Sequence, residues 1–353
     1  MEKNMTSIPT PSFRNLYAFG KKLPIDLSLS ENPLGCSPKI AQVLKQITLQ
    51  DVFDYPDPDC KQLKKAISSR FGVGSGNVFV ANGSEAIIKL LPLALLKAGD
   101  EVIIPKLTFP MLGIASLLSK RKVVFSEMTT DFDIDLEDIK KKTSKCTKLI
   151  FLCNPNNPTG RVIPKKKIID FVGSTDALVV IDEANIEFGG TTVINETKDF
   201  DNLIVLRTFS KGFGLAGIRI GFCVAGEGII KLLERSGQPF PVSSISEEIA
   251  IVALKDKQFL KTTKTFMKAE RDFLAGELSK KGFTVVKSQA NNLLVITPGS
   301  STELVKKLNQ KGVSVIDGTS FGPENNNFIR VSPRTRDTNK IFLGIIDQIF
   351  LGD

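Results

Sequence analysis

The chain has 353 residues, 42% hydrophobic and 24% charged, with a formal net charge of +9. That size and balance describe a globular protein of about two domains, and no window approaches eighteen uninterrupted apolar residues, which argues against a membrane span. It contains no histidine, so Ser–His–Asp and Cys–His catalysis and histidine-ligated metal sites are excluded, and proton transfer near neutral pH falls to a tuned lysine, carboxylate, tyrosine or cysteine.

Five cysteines, at 36, 60, 146, 153 and 223, are scattered without a C-x-x-C pair, which indicates neither a disulfide framework nor a zinc site, and no metal is expected. The lysines are dispersed, with short runs such as 140–142 and 165–167 and no interleaved aromatics. Solvated helix faces and anionic small molecules suit that pattern better than nucleic acid. The first fifteen residues hold no apolar segment, so no secretory signal is expected and the expected location is the cytoplasm.

In chain order, residues 1–24 are polar and contain prolines, as in an arm. A helix is expected from Ser37-Pro38 to about residue 47, with serine as cap and proline in the first turn, and another over 61–71. Short apolar runs at 77–80, 101–104, 123–125, 148–152, 177–181 and 203–206 then alternate with helical segments. Continuous Val/Ile/Leu runs of this kind predict a parallel sheet covered on both faces. Beyond about 225 the texture changes to helices over 226–236 and 245–278, short strands at 284–287, 292–296, 313–315 and 328–331, and a terminal helix from 338. The expectation is an α/β protein: an arm over 1–35 packing on the small domain, a large domain over 36–240, and a smaller α+β domain over 241–353.

Polar residues recur at the carboxyl ends of the predicted strands, which in a parallel sheet lie along one ligand-binding edge. Gly83-Ser84-Glu85 opens a helix and offers free N–H groups to an anion. Asp182 closes the fifth run, and Ser210, Lys211, three glycines and Arg219 follow the sixth. A lysine enclosed at that edge has a lowered pKa and becomes nucleophilic. An anion site, a buried aspartate and an activated lysine are the anchor, ring-nitrogen partner and Schiff-base donor that pyridoxal 5'-phosphate requires. A nicotinamide oxidoreductase would need G-x-G-x-x-G after the first strand, and NGSEAI is not that motif.

With SENPLG at 30–35, YPD at 55–57, NGSEA at 82–86, TFP at 108–110, NPNNPTG at 154–160, DEA at 182–184, TFSKGFGLAGIRIGF at 208–222 and FIRVS at 328–332, the chain resembles the class I/II aminotransferases of fold type I. Within them it is most similar to the histidinol-phosphate aminotransferase group. The resemblance runs from about Arg14 to the C-terminus and implies an enzyme moving an amino group between an amino acid or amino-alcohol phosphate and a 2-oxo acid. It further implies that Lys211 bonds the cofactor and shuttles the substrate proton, and that Asp182 pairs with the ring nitrogen. Asn157 would bond the ring's 3-oxygen and help Arg330 with the substrate carboxylate, while Phe109 stacks on the ring. Gly83, Ser84, Glu85, Ser210 and Arg219 would hold the cofactor phosphate, joined by Tyr55 from the second subunit of a homodimer.

Two departures bear on substrate and reaction. Asn185 stands where the family places a tyrosine after DEA, and Ile316 where histidinol-phosphate enzymes place an arginine for the substrate phosphate. Arg334 and Arg336 are the candidates to compensate. Asn185 gives weight to the alternative of a threonine-phosphate-type decarboxylase, or another biosynthetic reaction, on the same cofactor.

Overall fold

A computed structural model describes residues 23–351; most of the expected arm lies outside them. At its centre is a seven-stranded sheet in the spatial order Val78–Ala81, Gly221–Val224, Leu203–Thr208, Leu178–Asp182, Thr147–Cys153, Glu101–Pro105 and Lys122–Ser126. The six strands expected from the apolar runs are there, each within two residues of its predicted ends. Gly221–Val224 was not expected, and it runs antiparallel to both neighbours. A four-residue apolar run directly behind a glycine-rich loop carries too little periodicity to read as a strand.

The central strands are apolar on both faces because helices cover both. Val179, Ile181, Leu203 and Val205 point into one core cluster. Their alternates Val180, Ile204 and Leu206 point into another on the opposite face. This period-two division of a continuous apolar run is what a buried parallel sheet demands.

A second, antiparallel sheet orders Ile316–Asp317, Phe328–Val331, Leu293–Ile296 and Thr284–Val285. Its core joins Leu293, Ile329 and Val331 to Leu274 and Leu278 of one helix and Phe342 and Ile346 of the terminal helix. The incoming chain is stitched to this part. Ile25–Asp26 pairs in parallel with Val313–Ser314, and Leu27 is fully buried in the same cluster.

The single helix expected over 245–278 is two, Ser244–Lys255 and Lys257–Lys280. Asp256 makes the break: its carboxylate accepts from Phe259 N at 3.1 Å, capping the second helix, and from Ser37 Oγ at 2.6 Å. With no Pro or Gly at the joint, the helical pattern runs through it in sequence. The first helix buries Ile249, Ala250, Ala253 and Leu254 against Leu63 and Ile67 in the core of the large sheet. The expected division at 240 therefore falls just before a helix that packs with the first part.

Candidate active site

The strand ends meet the C-terminal part around a cavity of about 380 Å³. At one end Val78–Ala81 feeds helix Ser84–Leu95 through Gly83, which has φ of 78° and supplies no side-chain cap. The first-turn N–H groups of that helix, among them those of Ser84 and Glu85, thus remain available to an anion. The Glu85 carboxylate pairs with Lys89 at 2.7 Å, so toward the cavity this residue offers its backbone.

Arg219 closes the cradle from the opposite loop. Its Nη1 donates to Ser210 Oγ at 3.4 Å and to Ala216 O at 3.0 Å. A Cβ on Gly83 would lie 2.9 Å from Arg219 Nη2, and one on Gly221 would lie 2.1 Å from Ser84 N. Both glycines are there because a guanidinium and a strand pass directly over the start of the helix.

Deeper in the cavity are Asp182 and Lys211. Asp182 is 2% exposed, and among the described residues the one hydrogen bond to its carboxylate comes from Ala184 N, at 3.0 Å. Burial pushes its pKa up to about 6, against the opposing effects of that N–H and of the charge on Lys211. Lys211 moves the other way, down to about 8, first through burial and then through the positive charge of Arg330, with Arg219 adding to it. An amine in that range is partly free near neutral pH and can act as nucleophile or base.

Arg330 enters from the second sheet and is buried. Its Nη1 donates to Asn157 Oδ1 at 2.9 Å, and its Nη2 donates to the carbonyl of Ser28. Asn157, Asn185 and Phe109 all line the same cavity. Asn185 is buried, and among the described residues its Nδ2 makes a single long contact, 3.5 Å to Pro155 O. Tyr55 does not line the cavity of its own chain: it is exposed and stacks on Phe240 with centroids 4.6 Å apart.

Several lining residues were not singled out from the sequence. Cys153, Ala184, Thr208, Asn291 and Asn292 belong to the wall, as do Leu29 and Ser30. The signal available in advance was the pair Asn291-Asn292 ahead of an apolar run; both are buried, which buried amides are only when bonded. Asn291 Nδ2 donates to Ser30 O at 2.9 Å, and Asn292 Nδ2 to Pro158 O.

The structure also places the substrate-side departures. Ile316 sits directly across from Arg330 in the strand register and is buried. Arg336 is committed elsewhere: its Nε lies 3.1 and 3.0 Å from the two Glu270 carboxylate oxygens, and its guanidinium stacks on Phe273 at 3.9 Å. It does not line the cavity. Arg334 lies 3.7 Å from Glu31 and does not line the cavity.

A larger cleft of about 800 Å³ opens elsewhere, between Val162–Lys165 and helix Lys257–Lys280. Its basic side chains Lys264, Lys268 and Arg271 are accompanied by none of the strand-end groups.

Comparison with known proteins agrees with this geometry. Residues 23–346 match the model of the family described as aminotransferase class I and II. A histidinol-phosphate aminotransferase of Clostridium novyi (strain NT) is 33% identical over 330 residues, covering 93% of this chain and 92% of that protein. The crystal structure of the histidinol-phosphate aminotransferase from Clostridium acetobutylicum superposes with a TM-score of 0.85 at 26% identity, over 92% of this chain and 98% of that one. That of the Sinorhizobium meliloti enzyme, in complex with pyridoxal-5'-phosphate, gives 0.86 at 23% identity, over 95% and 94%. The chain belongs to the class I and II aminotransferase family.

Proposed function

We infer that the protein is a pyridoxal 5'-phosphate-dependent aminotransferase of the histidinol-phosphate aminotransferase type. The observation that carries the reading is one cavity holding Lys211, Asp182 and an anion cradle built from an uncapped helix start, Ser210 and Arg219. The residues fit the cofactor. The cradle suits its phosphate, and the buried Asp182, bonded by a single backbone N–H, calls for a cationic partner such as a protonated ring nitrogen.

When bound, pyridoxal 5'-phosphate supplies an electron sink that lets the substrate Cα–H bond break and stores the amino group between half-reactions. The protein's own residues do the rest. Arg330 orients the substrate carboxylate by a charge-assisted contact, and Asn157 fixes the guanidinium through its Oδ1. Lys211, with its lowered pKa, takes the proton from Cα and returns it. Asp182 would keep a proton on the ring nitrogen, and Phe109 and Asn185, which line the same cavity, would pack against the ring. Arg219 and Ser210, bonded to each other, would hold the phosphate so that these groups meet a fixed target.

The substrates on this reading are an amino acid or amino-alcohol phosphate and a 2-oxo acid, as the names of the relatives suggest for those proteins. The working unit is a homodimer in the cytoplasm, in which the exposed Tyr55 reaches the phosphate in the second subunit's site. The chain divides into a large cofactor domain, including helix Ser244–Lys255, and a smaller C-terminal domain that takes the strand Ile25–Asp26. No helix among the described residues is long and apolar enough to cross a membrane. Asn185 keeps a decarboxylase of the threonine-phosphate type as the second reading, because an amide cannot ionise as a phenol does at the cofactor's oxygen.

The test is spectroscopic. Purified protein given pyridoxal 5'-phosphate is expected to gain a visible absorption band that Lys211→Ala removes; protein that stays colourless and takes up none sinks the reading. Adding glutamate or histidinol phosphate should then move the band to the ultraviolet without release of carbon dioxide. Release of carbon dioxide from an amino-acid phosphate would select the decarboxylase instead.

A further inference from the structure

The segment at 28–35 runs between Arg330 and the turn that carries Lys211. At its start, Ser28 O accepts from Arg330 Nη2. Ser30 is held by two contacts, Asn291 Nδ2 to its carbonyl at 2.9 Å and Ser332 Oγ to its hydroxyl at 2.8 Å. Then comes Asn32, 6% exposed, whose side chain is fully used. Its Oδ1 accepts from Leu34 N at 3.0 Å, and its Nδ2 donates to Gly212 O at 3.0 Å and to Thr263 Oγ1 at 3.1 Å.

Gly212 is the residue after Lys211, and its carbonyl belongs to the turn closed by Gly214 N donating to Lys211 O at 2.9 Å. Two residues on, a Cβ at Gly214 would fall 1.7 Å from Gly35 O. The two backbones are pressed together, with the Asn32 amide bonded into the seam. On the far side of the same turn a Cβ at Gly212 would lie 2.4 Å from Glu187 Cβ, so the peptide has no room to move away from Asn32. Thr263 lies in helix Lys257–Lys280, which is not part of the large sheet's strand–helix units.

We propose that Asn32 is a positioning residue for Lys211: it fixes the peptide following the lysine and ties that peptide to helix Lys257–Lys280 and, through the segment from Ser28, to Arg330. The physical reason is local. A turn rich in glycine, with residues 212, 214 and 217, has little stiffness of its own. A buried side-chain amide with every partner satisfied supplies that stiffness from outside. Pre-set geometry of a reacting group affects rate far more than it affects binding. Asn32 bonds the peptide after the lysine and does not line the cavity, so its effect is on kcat and on the order of the turn.

The proposal rests on the aminotransferase reading, and its test separates the two. Asn32→Asp keeps the volume and the acceptor for Leu34 but loses both donated bonds. Expected in the folded, cofactor-loaded variant are a kcat lowered about tenfold, as for loss of a buried hydrogen bond felt in the transition state, KM within about twofold of wild type, and a shifted pH midpoint of the visible band. In the cofactor-free protein, amide exchange over residues 211–217 should accelerate about tenfold on the same basis. Thr263→Val removes only the outer bond and should move the same quantities the same way by less; it decides the matter if Asn32→Asp does not fold. Unchanged kcat, midpoint and exchange in a folded variant overturn the proposal, since a role in packing alone lowers the melting temperature and nothing else. If wild-type protein takes up no pyridoxal 5'-phosphate, the enzyme reading fails, while the exchange experiment still decides the anchoring by Asn32.

Discussion

Arg330 donates from Nη1 to Asn157 Oδ1 at 2.9 Å, although 173 residues separate them. That bond joins a strand of the C-terminal sheet to the loop after Thr147–Cys153 and makes the two sheets share one cavity wall. The guanidinium donates to neutral oxygens here and at Ser28 O, and it lines the cavity where a substrate carboxylate would bind. Arg330→Gln is expected to raise KM for α-carboxylate substrates roughly 10- to 100-fold, the range for losing a charge-assisted pair. Steady-state kinetics with acids and their amides checks this; equal effects on both would remove the carboxylate role.

The same substitution acts on Lys211. Arg330 is the second cause, after burial, of the lowered lysine pKa of about 8. Removing that positive charge favours the ammonium, so the pKa rises. The rate of pyridoxal 5'-phosphate uptake should therefore climb with pH through a midpoint near 8 in wild type and through a higher one in Arg330→Gln. Stopped-flow uptake across pH 6–10 measures it, and a midpoint that stays put or falls contradicts the coupling.

Asp182 gives a prediction with the opposite sign to the usual carboxylate. Its folded-state pKa of about 6 lies above the ordinary 3.8 because burial disfavours the charge. The folded state thus binds this proton more tightly than the unfolded chain, and the associated stability, present at low pH, is lost as pH rises through about 6. In cofactor-free protein, Asp182→Asn should raise stability by about 3 kcal/mol at pH 8 and by only about half of that at pH 5, where the folded carboxyl is still protonated. Thermal melts at the two pH values decide it. In the loaded enzyme the same change should cost at least about a hundredfold in rate, because the ring nitrogen loses its fixed countercharge.

Gly83→Ala tests the anchor. The added Cβ would sit 2.9 Å from Arg219 Nη2 at a residue with φ of 78°. The guanidinium must withdraw, and affinity for pyridoxal 5'-phosphate should fall about 10- to 100-fold, equivalent to losing one charge-assisted contact. Titration of the visible band measures this, and unchanged affinity would place the phosphate elsewhere.

Tyr55→Ala tests the second subunit. Tyr55 is stacked on Phe240 and exposed in its own chain, and on the proposed dimer its phenol would reach the second subunit's cofactor. The substitution should weaken cofactor binding about tenfold, and sedimentation should show a dimer in wild type. A monomer with full cofactor affinity would overturn this arrangement.

Much of this site was legible from residue order. Each strand-end residue sits directly behind a continuous apolar run, and in a parallel sheet that local fact places Ser84, Asn157, Asp182 and Lys211 along one edge. The alternation of apolar runs with helical segments determined the large sheet in the same way, because burial on both faces leaves its mark on every consecutive residue. What tertiary structure alone decided depends on partners far away in the chain. The antiparallel strand Gly221–Val224 exists because it fits between Val78–Ala81 and Leu203–Thr208. The break at Asp256 is fixed in part by Ser37. Arg336 is a candidate for the substrate phosphate by its place after Arg330, and only the fold shows that its guanidinium lies against Glu270. The Arg330–Asn157 bond and the grip of Asn32 on Gly212 likewise join residues whose own neighbours carry no sign of each other, since periodicity records what a residue's face is buried against, not which distant side chain meets it.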